Sequence, residues 1–297
     1  MASEVQKNPH PWNQGLLDNL RGLMVSGLAP HAIALTSREG WGEEQLLKLV
    51  GNLFLKLPEN TETQSIVRGD LFWISPDGSV IKIDQIRQAI EFAYQTNSNN
   101  DCKVIAIEQG HLLNLSATNA LLKIVEEPPP GTVILLQTTQ WGILPATLRS
   151  RFQNFSPGLS TSIAKTWLAQ MDKSISDDQF AESGYSPMGA LDYEAQGFSP
   201  TLEQVNDMKI NDVVDELLKL QIVVWLGNWY RFILGRLAGC ESKTVNADLK
   251  KVFIFCDELA RSRKEISSSN SANTRLIVER LIILWRQQKI NSIIPGR

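Results

Sequence analysis

The first half of the chain alternates short apolar runs with helical patterns, and this alternation limits the possible fold more than any other feature. The helical patterns carry apolar residues at a spacing of three and four, which is typical of a helix with one buried face. Strands that alternate with such helices predict a parallel sheet that is covered on both faces. We therefore predict an α/β fold with four strands, at residues 31–36, 71–74, 103–107 and 132–138.

The carboxyl ends of these strands are where function is expected. Ligands of open parallel sheets bind in the crevice beyond the carboxyl ends of the strands. The loops after Thr36, Ile107 and Thr138 fall at those ends. We therefore expect the functional residues of the first half to lie in these three loops.

Local signals predict the limits of the helices. Asp84 is a candidate cap for the helix after the second strand, and Ser116 is predicted to begin the helix after the third. Three prolines at residues 128–130 must end that helix. Beyond about Pro157 the strand patterns stop, and the remainder is predicted to be helical, with three longer helical patterns from Val213 onward.

The three cysteines, Cys102, Cys240 and Cys256, are widely scattered and form no Cys-x-x-Cys pair. This distribution excludes a zinc ribbon and argues against a disulfide framework. It fits a reducing cytoplasm, which is the location that we predict. The net charge of -3 means that any contact with DNA must come from a local patch or from an assembly.

Targeting and membrane signals are not found in the sequence. The first residues lack the basic region followed by an apolar region that marks a signal peptide. The most apolar stretch, residues 217–237, is interrupted by charged and polar residues. It predicts a buried helix of a bundle rather than a membrane span.

The loop after the first predicted strand resembles a damaged phosphate loop. A working loop reads G-x-x-x-x-G-K-[ST], in which the glycines expose backbone N–H groups, the lysine neutralises charge and the hydroxyl holds Mg²⁺. Here Ser37 stands at the first glycine and Gly42 at the second, with Gly40 between them. Glu43 takes the lysine position and Glu44 the hydroxyl position, so two carboxylates would oppose a polyphosphate. Taken alone, this segment is more often an ordinary strand-to-helix turn in which the helix dipole favours Glu43 and Glu44.

The third predicted strand ends in Glu108 and Gln109, where a nucleotide hydrolase needs a metal-binding carboxylate and a group that orients water. Glu108 could still hold a metal, but Gln109 cannot serve as a base. A strand end with an exposed polar pair explains these two residues equally well.

Two longer segments carry a resemblance to a known family. Residues 116–129 form one of them, and the other runs from Thr138 through Thr147 to Ser150 and Arg151. In order and spacing they resemble the clamp-loader branch of the AAA+ ATPases. Within that branch, the damaged phosphate loop is similar to the bacterial subunits that do not hydrolyse ATP. Three segments outside the core support the same resemblance: residues 10–12, 273–276 and 281–285.

The resemblance implies a role for each matching position. Ser150 and Arg151 match an arginine finger that points at the ATP of an adjacent gamma/tau subunit, and Phe152 replaces a cysteine that packs behind the finger. Gln109 stands at the catalytic glutamate, and Met188 stands at a second arginine that senses ATP. Together with the phosphate loop and Glu108, these changes imply a nucleotide site that no longer works. By base rate alone, Arg151 would instead be an ordinary surface arginine in an ion pair.

The resemblance also implies an architecture and partners. We expect an AAA+ core at residues 1–159 with a degenerate nucleotide site, a small helical lid at residues 160–206 and a helical collar at residues 207–297. The chain would be a stationary arginine donor in a ring with gamma/tau and delta subunits, which places a sliding clamp on primer-template DNA. We expect no cofactor, no metal and no membrane contact. Many relatives carry a four-cysteine zinc module, and residues 57–69, which occupy that interval here, hold no cysteine.

Two alternatives remain at this point. The chain could be an active AAA+ ATPase with an unusual loop, or a purely structural adaptor in which Arg151 has no catalytic role.

Direct contact with DNA is a weaker hypothesis. Residues 83–87 resemble a helix start that faces the central channel in clamp loaders, and backbone N–H groups there and Arg87 could touch phosphates without reading bases. An exposed helix with a solvated arginine explains the same pattern. The tryptophans Trp225, Trp229 and Trp285 lie in apolar helical patterns and are predicted to belong to a core rather than to stack on bases.

Overall fold

The computed structural model divides the chain into two compact units, Met1–Ala164 and Lys165–Arg297, and each is described by itself. The residues that the structure describes are 9–59, 61, 69–78, 80–95, 102–171, 175–195, 202–220, 222–238, 247–268 and 273–289. Most of the interval at residues 57–69 and the whole of Cys240 therefore lie outside the described residues.

The first unit is built on a parallel sheet of five strands. The strands are β1 (Ala32–Thr36), β2 (Leu71–Ile74), β3 (Lys103–Ile107), β4 (Thr132–Thr138) and β5 (Gln153–Phe155). Their order is β2-β3-β4-β1-β5, and every adjacent pair is parallel. The four predicted strands are confirmed, although β1 begins one residue later than predicted.

The strand β5 is a feature that the sequence did not predict. Its Gln153 and Asn154 are exposed, and only Phe155 is buried. Such a segment has no apolar run that would mark it, and it becomes a strand because it pairs with residues 33–35 of β1 at the edge of the sheet.

The described residues that lie wholly in the first unit form five α-helices: α1 (Gln14–Val25), α2 (Glu43–Phe54), α3 (Ile83–Tyr94), α4 (Leu115–Glu126) and the short α5 (Ala146–Arg149). Alternate residues of each strand point to opposite faces of the sheet. Ile33 and Leu35 of β1 pack with α1 and α2, whereas Ala32 and Ala34 pack with α3 and α4. The predicted sheet with helices on both faces is thereby confirmed.

The caps of α3 and α4 differ from those predicted. The helix α3 begins at Ile83, where the side chain of Gln85 accepts a hydrogen bond from the Lys82 N–H at 2.9 Å. Asp84 is therefore inside the first turn, and its prediction as the cap was wrong. The helix α4 begins at Leu115, and Asn114 Oδ1 accepts from the Ala117 N–H at 2.8 Å. In both helices a polar side chain other than the predicted one accepts from a backbone N–H group at the start of the helix.

The described residues of the second unit contain helices only. The helix α6 (Thr161–Gln170) crosses the boundary between the units. The others are α7 (Asp177–Glu182), α8 (Pro187–Ala195), α9 (Leu202–Asp207), α10 (Ile210–Leu217), α11 (Ile222–Ala238), α12 (Ala247–Ser268) and α13 (Thr274–Gln287). This confirms the predicted helical second half, whereas the division into a lid and a collar stays a prediction.

The core of the second unit is rich in aromatic rings. Trp229 lies 5.0 Å from Trp285 and 5.2 Å from Phe255, measured between ring centroids. Trp285 is fully buried, and its Nε1–H donates to Asn206 Oδ1 at 3.0 Å. The tryptophans Trp229 and Trp285 are thus core residues, as predicted, and Trp225 packs against them. Across the described residues, no helix has the length and apolar character that crossing a bilayer requires.

A buried lysine joins the sheet to one of the covering helices. Lys103 begins β3 and is only 1% exposed. Its Nζ donates to the carbonyl oxygen of Phe92 at 2.7 Å and to that of Gln95, and it lies 4.9 Å from the centroid of the Phe92 ring. These carbonyls end α3, where a positive charge is favoured by the helix dipole.

We predict that Lys103→Met lowers the free energy of unfolding by about 2 kcal/mol, because the two carbonyl oxygens lose charge-assisted hydrogen bonds in a buried place. Chemical denaturation monitored by circular dichroism measures this change. The exposed Lys123 of α4 supplies the control, and Lys123→Met should leave the midpoint nearly unchanged. Equal midpoints for the two variants would contradict the capping role.

Candidate functional site

The loop between β1 and α2, residues 37–42, is the candidate nucleotide site. Gly40 and Gly42 both have a φ of 78°, a left-handed conformation that glycine adopts without strain. Gly42 has a second requirement, because a Cβ on it would lie 2.6 Å from the imidazole of His10. The backbone of the loop is therefore shaped like a turn that leads into a helix N-terminus, as its glycine spacing suggested.

The side chain of Glu43 folds back onto this loop. Its Oε1 accepts from the Gly40 N–H at 2.9 Å, and its Oε2 accepts from the Trp41 N–H at 3.1 Å. A bound phosphate would need N–H groups of this kind. Burial raises the pKa of Glu43 above its ordinary value, although its hydrogen bonds with backbone groups act in the opposite direction. A carboxyl group of the chain itself thus takes two donors of the loop.

The neighbouring Glu44 is placed differently. It is exposed on α2, and one of its oxygens lies 2.7 Å from Lys48 Nζ, one helical turn further on. Glu43, in the lysine position, thus holds two N–H groups of the loop, whereas Glu44, in the hydroxyl position, pairs with a lysine of its own helix. Ser37, at the position of the first glycine, is buried, and its N–H donates to the Thr138 carbonyl at the end of β4 at 3.3 Å.

Residues 10–12 cover the loop. The Trp12 Nε1–H donates to the Trp41 carbonyl at 2.9 Å, and the two indole rings meet edge to face at 5.2 Å. His10 is buried and stacks on Trp12 with ring centroids 4.7 Å apart. This desolvation lowers the pKa of His10 to about 4. These residues are notable in the sequence only for their resemblance to a family, because packing of this kind leaves no periodic pattern.

The ends of β3 and β4 meet beside each other, as the parallel sheet requires. Glu108 is half-buried, and Gln109 adopts a left-handed backbone with a φ of 47°. The Gln109 N–H donates to Gln137 Oε1 at 2.9 Å.

Thr138 Oγ1 lies 3.1 Å from His111 Nδ1 and accepts from the Gln140 N–H at 3.1 Å. His111 was not among the predicted site residues, and burial lowers its pKa.

The predicted finger lies just after the short helix α5. Ser150 Oγ donates to the Thr147 carbonyl at 3.0 Å, and Arg151 Nη1 donates to the same carbonyl at 2.8 Å. Arg151 Nη2 forms an ion pair with Glu126, and the arginine side chain remains 37% exposed. Phe152, the next residue, is buried in the core of the first unit. A surface ion pair is what base rate alone predicts for Arg151. A pair this exposed is weak, so the arginine can leave Glu126 for another partner.

The remaining predicted site residues lie elsewhere. Arg87 is 62% exposed on α3 and pairs with Asp84 at 3.1 Å, so its contact with DNA stays a prediction. Met188 is the second residue of α8 in the second unit and is half-buried. Among the residues that the structure describes, no group of three or more histidine, cysteine or acidic residues could hold a metal.

A family model and two curated relatives that resemble this chain are described as subunits of DNA polymerase III. The family model described as DNA polymerase III, delta subunit, matches residues 12–157. The DNA polymerase III subunit delta' of Pseudomonas aeruginosa is 27% identical over 93% of this chain and 97% of its own length. The DNA polymerase III subunit tau of Bacillus subtilis is 36% identical over 74% of this chain and 36% of its own length.

One solved structure shares the fold over nearly the whole chain. It is a DNA polymerase III gamma subunit-related protein from Thermotoga maritima, with a TM-score of 0.53 and 16% identity. The match covers 92% of this chain and 99% of that one. The chain therefore has the predicted fold, an α/β core with a parallel sheet followed by a helical region.

We predict that His10 makes the chain less stable in acid. Because burial lowers the pKa of His10 from 6.5 to about 4, the unfolded chain binds the proton more tightly than the folded one does. The contribution of neutral His10 to the free energy of unfolding is therefore complete above pH 6.5 and is lost as the pH falls towards 4. The loss is about 2 kcal/mol at pH 5. Urea unfolding at several pH values measures this loss, which His10→Gln should reduce. His31→Gln, at an exposed histidine, should keep the slope of the wild type, and an equal slope in all three proteins would contradict the assignment.

Proposed function

Because this chain belongs to the delta-prime family of DNA polymerase III clamp-loader subunits, we propose that it is the non-hydrolysing stator of that ring. In this role it supplies Arg151 in trans to the ATP site of a neighbouring gamma/tau subunit. The observation that carries the proposal is a contrast within one unit: Glu43 holds the N–H groups of the chain's own loop, whereas Arg151 is exposed.

The loss of ATP hydrolysis is supported by the chemistry of each position. A carboxyl group stands where a lysine would neutralise phosphate charge, and it takes up two backbone donors that a phosphate would need. Gln109, with its left-handed backbone and exposed side chain, offers no base at the carboxyl end of β3. We therefore propose that the chain binds no nucleotide cofactor of its own.

An arginine supplied in trans suits the reaction of a neighbour. The transition state of phosphoryl transfer spreads negative charge over its equatorial oxygens, and a planar guanidinium can contact two of them at once. Fingers of this kind contribute roughly 10³–10⁵ in rate. Ser150 and Arg151 are both tied to the Thr147 carbonyl, which fixes the segment while the guanidinium stays partly exposed.

The proposed partners follow from the family. Relatives of this chain include a gamma/tau-type subunit, and we propose a ring with gamma/tau and delta subunits that loads a sliding clamp onto primer-template DNA in the cytoplasm. Arg87 is a candidate contact to the DNA backbone. An active AAA+ ATPase and a purely structural adaptor are the alternatives, and the two experiments below separate them.

We predict that Arg151→Ala in the reconstituted ring lowers the rate of ATP hydrolysis stimulated by DNA and clamp. The expected fall is at least the part of the total rate that comes from the ATP site next to Arg151. Arg21→Ala is the control, since Arg21 is also a partly exposed arginine in ion pairs, with Asp18 and Glu59. Gel filtration must show that each ring is intact. An unchanged rate in an intact Arg151→Ala ring would leave the chain as a structural adaptor.

We also predict that the isolated chain gives no binding heat with Mg·ATP in isothermal titration calorimetry. Any gain in affinity is expected in Glu43→Ala, which releases the Gly40 and Trp41 N–H groups, and not in Glu44→Ala. Both variants remove one negative charge, so the difference between them isolates the contact with the loop. Measurable affinity in the wild type would instead favour the active ATPase.

A further inference from the structure

The ion pair between Arg151 and Glu126 has a consequence for the proposed finger. Within the part of the chain that the structure describes, Glu126 is the carboxylate that pairs with Arg151. It acts on Nη2, while the Thr147 carbonyl accepts from Nη1 at 2.8 Å. Two partners on two different nitrogens restrict both the direction and the plane of the guanidinium.

Glu126 is mounted on a rigid part of the fold. It is the last residue of α4, and the two residues before it, Ile124 and Val125, are buried in the core. The Val125 carbonyl lies 3.1 Å from His31 Nε2, and prolines at residues 128–130 follow the helix end. The carboxylate is therefore anchored by the core of the unit rather than by a long loop.

The helix by itself does not account for this glutamate. A negative charge in the last turn of a helix is opposed by the helix dipole. The adjacent Glu127 is also exposed, yet no ion pair of its side chain is found among the described residues. Glu126, the last residue of the helix, thus differs from the next residue, Glu127, in its contact with Arg151.

We propose that Glu126 is a positioning residue, which orders the guanidinium of Arg151 before the neighbour's ATP site forms around it. The inference rests on the proposed function of Arg151. A free arginine loses up to about 2 kcal/mol of side-chain entropy when it is ordered, and Glu126 with Thr147 supplies part of that order in advance. An exposed pair contributes only about 0–1 kcal/mol, so the guanidinium can still turn to a phosphate.

The test uses the reconstituted ring of full-length subunits and compares Glu126→Gln with Glu127→Gln. Both variants remove one carboxylate charge from adjacent exposed positions, but only the first breaks the pair with Arg151. We expect Glu126→Gln to lower kcat for ATP hydrolysis by about two- to fivefold, which is the factor that an exposed pair can supply. KM for ATP should not change, since the nucleotide is bound by the neighbouring subunit. Glu127→Gln should behave as the wild type does.

A double-mutant cycle distinguishes positioning from a general structural effect. In the Arg151→Ala background, Glu126→Gln should have no further effect on kcat, because the group that it positions is gone. Thermal melting of each isolated variant must show that the chain is folded.

Three outcomes would overturn the inference: a Glu126→Gln rate equal to or above that of the wild type, an equal fall in Glu127→Gln, or a further fall in the Arg151→Ala background. If Arg151→Ala itself leaves the rate unchanged, the proposed function fails and the role of Glu126 fails with it. If Arg151→Ala lowers the rate and Glu126→Gln does not, only the positioning role fails.

Discussion

The parallel pairing of β1 with β4 is the constraint on which the functional part of the first unit depends. Thr36 and Thr138, the last residues of the two strands, are partners in register. Helices cover both faces of the sheet. The polar residues that follow the strands therefore lie beyond the carboxyl ends of the strands. The Ser37 N–H donates a hydrogen bond to the Thr138 carbonyl. This bond joins the candidate nucleotide loop to the end of β4.

The edge strand β5 extends this constraint to the finger. Asn154 accepts a hydrogen bond from the Thr36 hydroxyl at 2.6 Å, and the Ser156 hydroxyl donates to the Thr36 carbonyl at 2.8 Å. The segment with Ser150 and Arg151 is therefore held between β4 and β5, both of which pair with β1. The candidate loop and the finger are thus fastened to the same central strand.

The two candidate sites differ in how their charged groups are used. At the loop, Glu43 accepts from the Gly40 and Trp41 N–H groups, and Trp12 donates to the Trp41 carbonyl, so these backbone groups are bonded from within the chain. At the proposed finger, the charge of Arg151 is balanced, among the described residues, by the exposed carboxylate of Glu126. A buried arrangement is costly to open and an exposed pair is not. This asymmetry suits a subunit that acts on a neighbour's nucleotide rather than on its own.

Much of this organisation is encoded in local sequence, and the rest arises from pairing between distant residues. The apolar runs determined four strands, and the prolines after α4 determined its end, because burial on both faces and the missing N–H of proline act on contiguous residues. The loop pattern indicated Glu43 and the resemblance to a family indicated Arg151, and the roles of both stay predictions. Only the tertiary structure decided that Gln153–Phe155 forms a strand, since its exposed polar residues gain order only through β1. Only the tertiary structure, too, brought Glu126 to Arg151 and His10 to Gly42, because a contact between residues far apart in the chain depends on how the elements pack and leaves no periodic pattern in the sequence.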